Sequence, residues 1–364
     1  MAMILDQHRR RIDEIDAELS RLLDERASIA RQVGLAKAAV GGLNTYDPGR
    51  QKEVLRRSLE RSNGAFPRDG LMNVWRELLS ACLNLQKPLD VGFFGPVGTF
   101  SHQAAIREFG GSANLQPRPR IRDLFLEVGE HRLDHAVVPV ENSTGGIIHE
   151  TLDAFIDFDV KICSEVLLPV QHCLVGHGPL DKIRRIHSHP QTFLQCGNWL
   201  RKNLPQAQLV EATSTVAGIE AAKRSKSAAA ISGRIAAETH GLQVLVEGIE
   251  DDPENTTRFW VLARADSRRS GDDKTSLMFS TRDEPGALHT ALGVFARHSV
   301  NITKIESRPT RKRAWECVFF IDLQGYRDDT EVRAAIDELV PLARQLRILG
   351  SYPRDTRIEM AGPR

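Results

Sequence analysis

Apolar positions near the start of the chain recur at helical spacing. Ile12, Ile15, Leu19, Leu22, Ile29, Val33 and Ala36 advance in steps of three and four, the pattern of a coiled-coil seam. Gly41-Gly42 end that predicted helix. Asp47-Pro48 opens a second helix, a capping residue ahead of proline at the first helical position. Leu71, Val74, Trp75, Leu78, Cys82 and Leu85 predict a third, which Lys87-Pro88 stops. From residue 91 the pattern changes. The short apolar runs VGFF (91–94), HAVVPV (135–140), ICSEVLLPV (162–170), AAAIS (228–232) and FWVLA (259–263) alternate with helical stretches such as 191–203. Such alternation predicts an α/β domain. ADSRRSGDDK at 265–274 is polar and reads as a strand-free linker. Beyond it the strands SLMFST, ITKIES, ECVFFIDL and LRILGSY, with helices after the first and third, give a βαββαβ order. That order belongs to the ferredoxin-like sandwich, and the last dozen residues read as a loose tail. The expected chain is therefore multidomain: all-α over 1–88, α/β over 90–265 and α+β over 274–352.

Composition narrows the function classes. A length of 364 residues suits two or three domains. Lys+Arg 49 against Asp+Glu 48 leaves a charge of +1, so neither nucleic acid nor an anionic membrane is expected as partner, since both demand a basic excess. Of the basic residues 38 are Arg, whose planar fork suits carboxylates, although a bias in composition produces the same count. Five cysteines with no C-x-x-C spacing read as reduced thiols, with no disulfide frame and no metal site. No signal-peptide core or membrane-length apolar run is present, and a cytoplasmic chain is expected.

The helical seam has one misplaced residue. Continuing from Leu22 it reaches Arg26, and a buried guanidinium needs an anionic partner. That partner is either an acidic residue on another helix or a small bound dianion. Lys37 lies three turns on, about 16 Å along the same face, and two such cations can grip a dianion from both ends. Arg50 and Gln86 add polar groups at the ends of the second and third helices. Arg9, about 25 Å from Arg26 along one helix, cannot share its pocket and is expected to serve a neighbouring subunit's. The stretch RRRIDEIDAELSRLLDERASIARQVGLAK resembles the first helix of the all-helical chorismate mutases, over most of 8–87. The resemblance implies that Arg9 of a partner subunit, with Arg26, Lys37 and Arg50, binds the carboxylates and ether oxygen of chorismate. It also places Gln86 on the breaking ether bond, while Asp47, which aligns with a site residue of some members, is equally a helix cap. The rearrangement is pericyclic and needs no cofactor. Gln51 stands where relatives carry Glu, Cys82 where they carry Ser, and Gly49 where many are acidic.

Three polar runs mark the central block. GPVGTFS at 95–101 follows a strand and offers backbone N–H groups to an anion, though a tight turn needs its glycines regardless. PVENSTGG at 139–146 puts polar residues at the carboxyl end of a strand, where open α/β sheets bind ligands. NTTRFWVLA at 255–263 sets Thr256, Thr257 and Arg258 ahead of an apolar run, and SHPQ (188–191) and ATSTVA (212–217) add hydroxyls at helix starts, where capping also explains them. Taken in order, GPxGTFS, ENSxxG, SHPQ, TSTxxA and TTRF resemble prephenate dehydratase across 91–264. The implied fold is two α/β subdomains about a cleft, like periplasmic binding proteins. The resemblance makes Thr257 the essential hydroxyl, read chemically as a hydrogen-bond donor to the departing oxygen, with Arg258 beside it for a carboxylate. Glu141 is an alternative acid if burial raises its pKa. Thr99, Ser101, Asn142, Ser143, Ser188, His189, Gln191, Ser214 and Thr215 are the expected cleft lining.

EPGALHTAL at 284–292 and IESRP at 305–309 resemble an ACT regulatory domain. The resemblance implies phenylalanine held by Gly286, Ala287, Leu288, Glu306, Ser307, Arg308 and Pro309 at a dimer interface; Glu306 and Arg308 also read as a solvated edge pair. The whole is expected to be a chorismate mutase–prephenate dehydratase, a homodimer or higher homo-oligomer, inhibited by phenylalanine. An arogenate dehydratase and a non-catalytic amino-acid-sensing protein are the alternatives.

Overall fold

The three-four spacing of the N-terminal segment forms α1 (Ala2–Val40), a helix of 39 residues. It is followed by α2 (Pro48–Arg61) and α3 (Arg68–Gln86). The structure, a computed structural model, describes residues 2–40, 45–309 and 317–355. The expected helix stop at Gly41-Gly42, Glu316 at the head of one expected strand and most of the expected tail lie outside them. Residues 1–47, 51–89 and 109–114 form one compact unit and the rest a second. In the first, α1 meets α3 at Gly34, where an added Cβ would lie 2.8 Å from the Cα of Gln86. Only a residue without a side chain lets the two backbones approach so closely. Much of the seam stays uncovered, with Ile12 56%, Leu19 52% and Ile29 52% exposed.

In the second unit the chain first builds β1 (Asp90–Phe94), α4 (Phe100–Phe109), β2 (Asn114–Arg118) and α5 (Ile121–Gly129). It continues through β3 (His135–Asn142), β4 (Gly146–Ile147), α6 (His149–Asp157) and β5 (Lys161–Pro169). A second sheet follows from β6 (Cys173–Gly176), β7 (Arg185–Ser188), α7 (Pro190–Gln195), α8 (Gly197–Asn203) and β8 (Gln208–Glu211). It is completed by α9 (Thr215–Ala222), β9 (Ala228–Ser232), α10 (Arg234–His240) and β10 (Gln243–Glu247). The chain then returns to the first sheet as β11 (Thr256–Ala263). The first sheet runs β2-β1-β3-β11-β5 with β4 on β3, and the second β10-β6-β9-β7-β8. Strands β2, β8 and β10 escaped the sequence pattern because they are sheet edges with few buried apolar residues. The single helix expected at 191–203 is two, broken at Cys196.

The C-terminal block is β12 (Asp273–Thr281), α11 (Ala287–Arg297), β13 (Ile302–Pro309), β14 (Cys317–Gln324), α12 (Thr330–Leu339) and β15 (Ala343–Pro353). This is the expected βαββαβ order, paired β13-β14-β12-β15. The linker is shorter than predicted: Asp273 already pairs with Pro353, and its carboxylate accepts the N–H groups of Ser270 (2.9 Å) and Gly271 (3.0 Å). The sheet is buried on both faces. Leu277, Phe279 and Ile321 pack with Val294, Phe295 and Leu339 of its own helices. Val318, Phe320, Leu349 and Tyr352 instead join Phe155 and Trp260 in the core of the first sheet.

Gly34→Ala is expected to destabilise the helical unit by about 1–3 kcal/mol through overpacking against backbone. Thermal unfolding of the variant against the parent chain measures it.

Candidate functional site

A cleft of about 390 Å³ opens in the second unit, walled by residues from both α/β sheets and from the crossings between them. From the first sheet come Asn142, the turn Gly145–Ile148 and Thr257; from the second come His189, Gln191, Gln195, Ser214 and Thr215; Val170 and His172 lie where the chain crosses. Six of the predicted lining residues are thus brought together: Asn142, His189, Gln191, Ser214, Thr215 and Thr257. Phe100, His172, Thr192, Gln195 and Thr213 also line the cleft and were not anticipated. Gln195 lies one helical turn beyond Gln191, outside the SHPQ run, and that spacing was the available signal.

The direction of the hydrogen bonds at Thr257 follows from two backbone groups. The Asn142 Oδ1 accepts the N–H of Gly145 (2.7 Å) and of Thr144 (3.2 Å), and a backbone N–H can only donate. The Asn142 amide nitrogen therefore faces the other way and donates to Thr257 Oγ1 (3.0 Å) and to Asn255 Oδ1 (2.7 Å). Thr257 Oγ1 is held as an acceptor, and no acceptor among the described residues takes its proton. That proton is available to whatever enters the cleft.

Two predicted roles are overturned by strand alternation. Successive side chains of a strand point to opposite faces, and β11 pairs Thr257 with Asn142 and Arg258 with Glu141. Thr257 and Asn142 face the cleft, so Arg258 and Glu141 face the C-terminal sheet. The Arg258 guanidinium is buried between Glu165 (Nε 2.8 Å) and Asp322 (Nη1 2.5 Å), with Nη2 donating to the Tyr352 hydroxyl at 3.1 Å. It stands over the Trp260 ring at 5.5 Å. Burial pushes the Asp322 carboxyl up, but Arg258 and the Ser276 hydroxyl more than reverse this, leaving it below its ordinary value. Glu141 forms an ion pair with Lys304 of β13. Neither residue is a cleft group.

Four more predicted liners are absent from the cleft wall, three of them with hydroxyls bound to the backbone. Thr99 Oγ1 donates to Pro96 O (2.9 Å) and accepts from the His102 N–H (3.3 Å), closing the loop before α4. Ser101 is buried in that helix. Ser143 accepts the Thr256 N–H at 3.0 Å, and Ser188 donates to Ile231 O at 3.0 Å. His189 and Ser214 line the cleft but also cap α7 and α9, accepting from Gln191 N and Ala217 N.

In the C-terminal block Gly286 takes the left-handed φ of +82° ahead of α11. Arg308 is no solvated partner of Glu306: its guanidinium grips both oxygens of Asp153 on α6, at 2.8 and 2.9 Å. Helix α6 begins directly after the cleft turn at Gly145–Ile148.

Among the described residues of the helical unit Arg26 finds no acidic partner, and it is only half-buried. Its Nη1 lies 2.6 Å from the Cys82 sulfur, and its guanidinium is 5.9 Å from the Trp75 ring centre. Gln86 Oε1 is buried with no hydrogen-bond partner among the described residues, while Nε2 reaches Cys82 O at 3.5 Å. Lys37 Nζ donates to Thr45 O at 3.0 Å. Arg9 is exposed beside Asp6 (3.7 Å). Arg50 and Gln51 stand in the first turns of α2, with Asp47 O accepting the Gln51 N–H (3.1 Å).

Residues 8–87 match the family described as chorismate mutase type II, residues 91–267 prephenate dehydratase, and residues 275–341 the ACT domain. The bifunctional chorismate mutase/prephenate dehydratase of Aquifex aeolicus (strain VF5) is 43% identical over 355 residues, covering 96% of this chain and 98% of that one. Arogenate dehydratase 2 of Petunia hybrida is 35% identical over 288 residues, 74% of this chain and 73% of the other. A solved prephenate dehydratase of Arthrobacter aurescens, in complex with L-Phe, superposes with TM-score 0.67 at 35% identity, covering 72% and 90% of the two chains.

Arg258→Met leaves Asp322 buried without its cation partner, while Glu165 keeps Lys274, and is expected to cost about 3–5 kcal/mol, read by chemical unfolding. Since the Asp322 pKa is depressed in the fold, its stabilisation is whole above the ordinary aspartate value and is lost as pH falls below it. The deficit of the variant against the parent is expected to be largest near neutral pH and to shrink as pH falls through the range where Asp322 protonates, because burial without Arg258 favours the neutral carboxyl.

Proposed function

The chain belongs to the bifunctional chorismate mutase/prephenate dehydratase family, and from that premise we propose how its residues divide the work. It converts chorismate to prephenate and prephenate to phenylpyruvate, and its ACT domain makes it responsive to phenylalanine. The domain limits proposed are 1–88 for the mutase, 90–265 for the dehydratase and 274–352 for the ACT domain, in a cytoplasmic enzyme.

The observation that carries the dehydratase assignment is the uncommitted hydroxyl proton of Thr257, held in the cleft by Asn142. In the reaction the ring C–O bond breaks as hydroxide departs, and the bond to the ring carboxylate breaks to release carbon dioxide. The electron pair of that second bond completes the aromatic ring. Thr257 donates a hydrogen bond to the departing oxygen, stabilising charge that grows only as the bond breaks. Gln191, Thr215 and the helix cap at Ser214 hold the substrate's polar groups. Arg258 acts as a structural cation. The fused mutase supplies prephenate, which favours it over arogenate as substrate.

For the mutase, Arg26, Lys37, Arg50, Gln51 and Gln86 bind chorismate, with Asp47 at the rim. The half-buried Arg26 without a carboxylate partner and the unsatisfied Gln86 amide support that pocket. A pericyclic step needs no proton transfer, so positioning of the reactive conformer and charge at the ether oxygen carry the rate. The exposed apolar seam of α1 calls for a second copy of the chain, which brings Arg9 to the partner's pocket and makes the enzyme a homodimer or larger homo-oligomer. Phenylalanine binds residues 286–288 and 306–309, and its affinity must differ between two states of the cleft to regulate it.

Thr257→Ala supplied with chorismate is expected to accumulate prephenate, with phenylpyruvate formation lowered about 100-fold or more. A time course resolving the three acids checks it, and undiminished phenylpyruvate overturns the assignment.

A further inference from the structure

Beyond Asn142, the hydrogen bonds at Thr257 run on across the cleft. The Asn142 Oδ1, already fixed as an acceptor by two backbone N–H groups, also takes the Thr144 hydroxyl proton at 2.8 Å. The other oxygen near Thr144 Oγ1 is Asn255 Oδ1 at 3.4 Å, itself an acceptor of the Asn142 amide. A hydroxyl has one proton to give, so towards its remaining neighbour Thr144 Oγ1 accepts. That neighbour is the Gln195 amide nitrogen at 3.0 Å. Gln195 is thereby turned with Oε1 towards His172 Nε2, at 2.8 Å. A carbonyl oxygen cannot donate, so His172 carries its proton on Nε2. Every link from His172 through Gln195, Thr144 and Asn142 to Thr257 points in one direction.

We infer that His172 is a positioning residue for the dehydratase step, its Nε2–H holding the Gln195 amide and, through Thr144, supporting the backbone N–H groups that fix Asn142 against Thr257. His172 is 2% exposed, lines the cleft and has no hydrogen-bond partner at Nδ1 among the described residues. Its surroundings keep it neutral: the Phe100 ring meets it edge-on at 5.7 Å, and the nearby carboxylate of Glu250 is engaged by the His172 backbone N–H at 2.8 Å. Burial, only partly offset by Gln195 and Glu250, holds the imidazole below the ordinary histidine pKa. The ring is therefore neutral near neutral pH. It sets one end of the chain, as a second-layer donor sets the tautomer of a catalytic group. This inference rests on Thr257 being the donor to the departing oxygen.

The test uses the full chain with prephenate supplied. A glutamine amide nitrogen reaches the position of imidazole Nε2, whereas an asparagine amide reaches only that of Nδ1. His172→Asn is expected to lower kcat about 100-fold with KM within about twofold, and His172→Gln to restore it to within about fivefold of the parent. In a Gln195→Ala background His172→Asn should cost less than about twofold more, because residues acting through one chain do not add. Thr144→Val, which breaks the chain at an exposed position, is expected to lower kcat alone as well and serves if the histidine variants do not fold. Mutase rate and melting temperature of each preparation report folding. Equal damage from Gln and Asn, additive losses with Gln195→Ala, or a change confined to KM overturns the inference. Those results with an inactive Thr257→Ala sink it alone; an active Thr257→Ala sinks the parent assignment too.

Discussion

The buried guanidinium of Arg258 is the constraint from which much of the second unit's architecture follows. A cation so enclosed must be met by anions, and here they come from two domains, Glu165 on β5 and Asp322 on β14. Lys274 on β12 shares Glu165, and the Tyr352 hydroxyl on β15 completes the cluster. The C-terminal sheet is therefore locked to the first α/β sheet by charge as well as by the apolar core around Trp260 and Phe320. Because strand side chains alternate, seating Arg258 on that face turns Thr257 to the cleft.

The contacts with the C-terminal sheet and the cleft lining thus lie one residue apart along the same strands. The faces of β3 and β11 that meet the C-terminal sheet carry Glu141 and Arg258, tied to Lys304 and Asp322, while their opposite faces carry Asn142 and Thr257. Arg308, in the stretch proposed to bind phenylalanine, grips Asp153 on the helix that follows the cleft turn, so β13 is tied directly to an element beside the cleft.

Much was legible in the chain itself. The three-block organisation, the long first helix and the βαββαβ order follow from hydrophobic periodicity and were found as read. Thr257 and Asn142 were legible from their motifs. Arg258 and Glu141 were misread for one reason: a motif names neighbours in sequence without saying which face each occupies. Thr99 and Ser188 are hydroxyls in matching motifs whose bonds go to backbone carbonyls. His172 and Gln195 carried too little local signal, their meaning lying in a chain of contacts between segments far apart in sequence.

What the sequence determined by itself is what local physics controls: the strongly periodic helices and buried strands, and which residue types are present for each reaction. Periodicity, capping and turn chemistry act within a few residues, so they can be read without the fold. The tertiary structure alone decided which side chains face the cleft, which cation is structural, and which way each amide is turned. Those outcomes depend on strand register and on hydrogen-bond partners more than a hundred residues away, as between Asn142 and Thr257, and no local pattern encodes them.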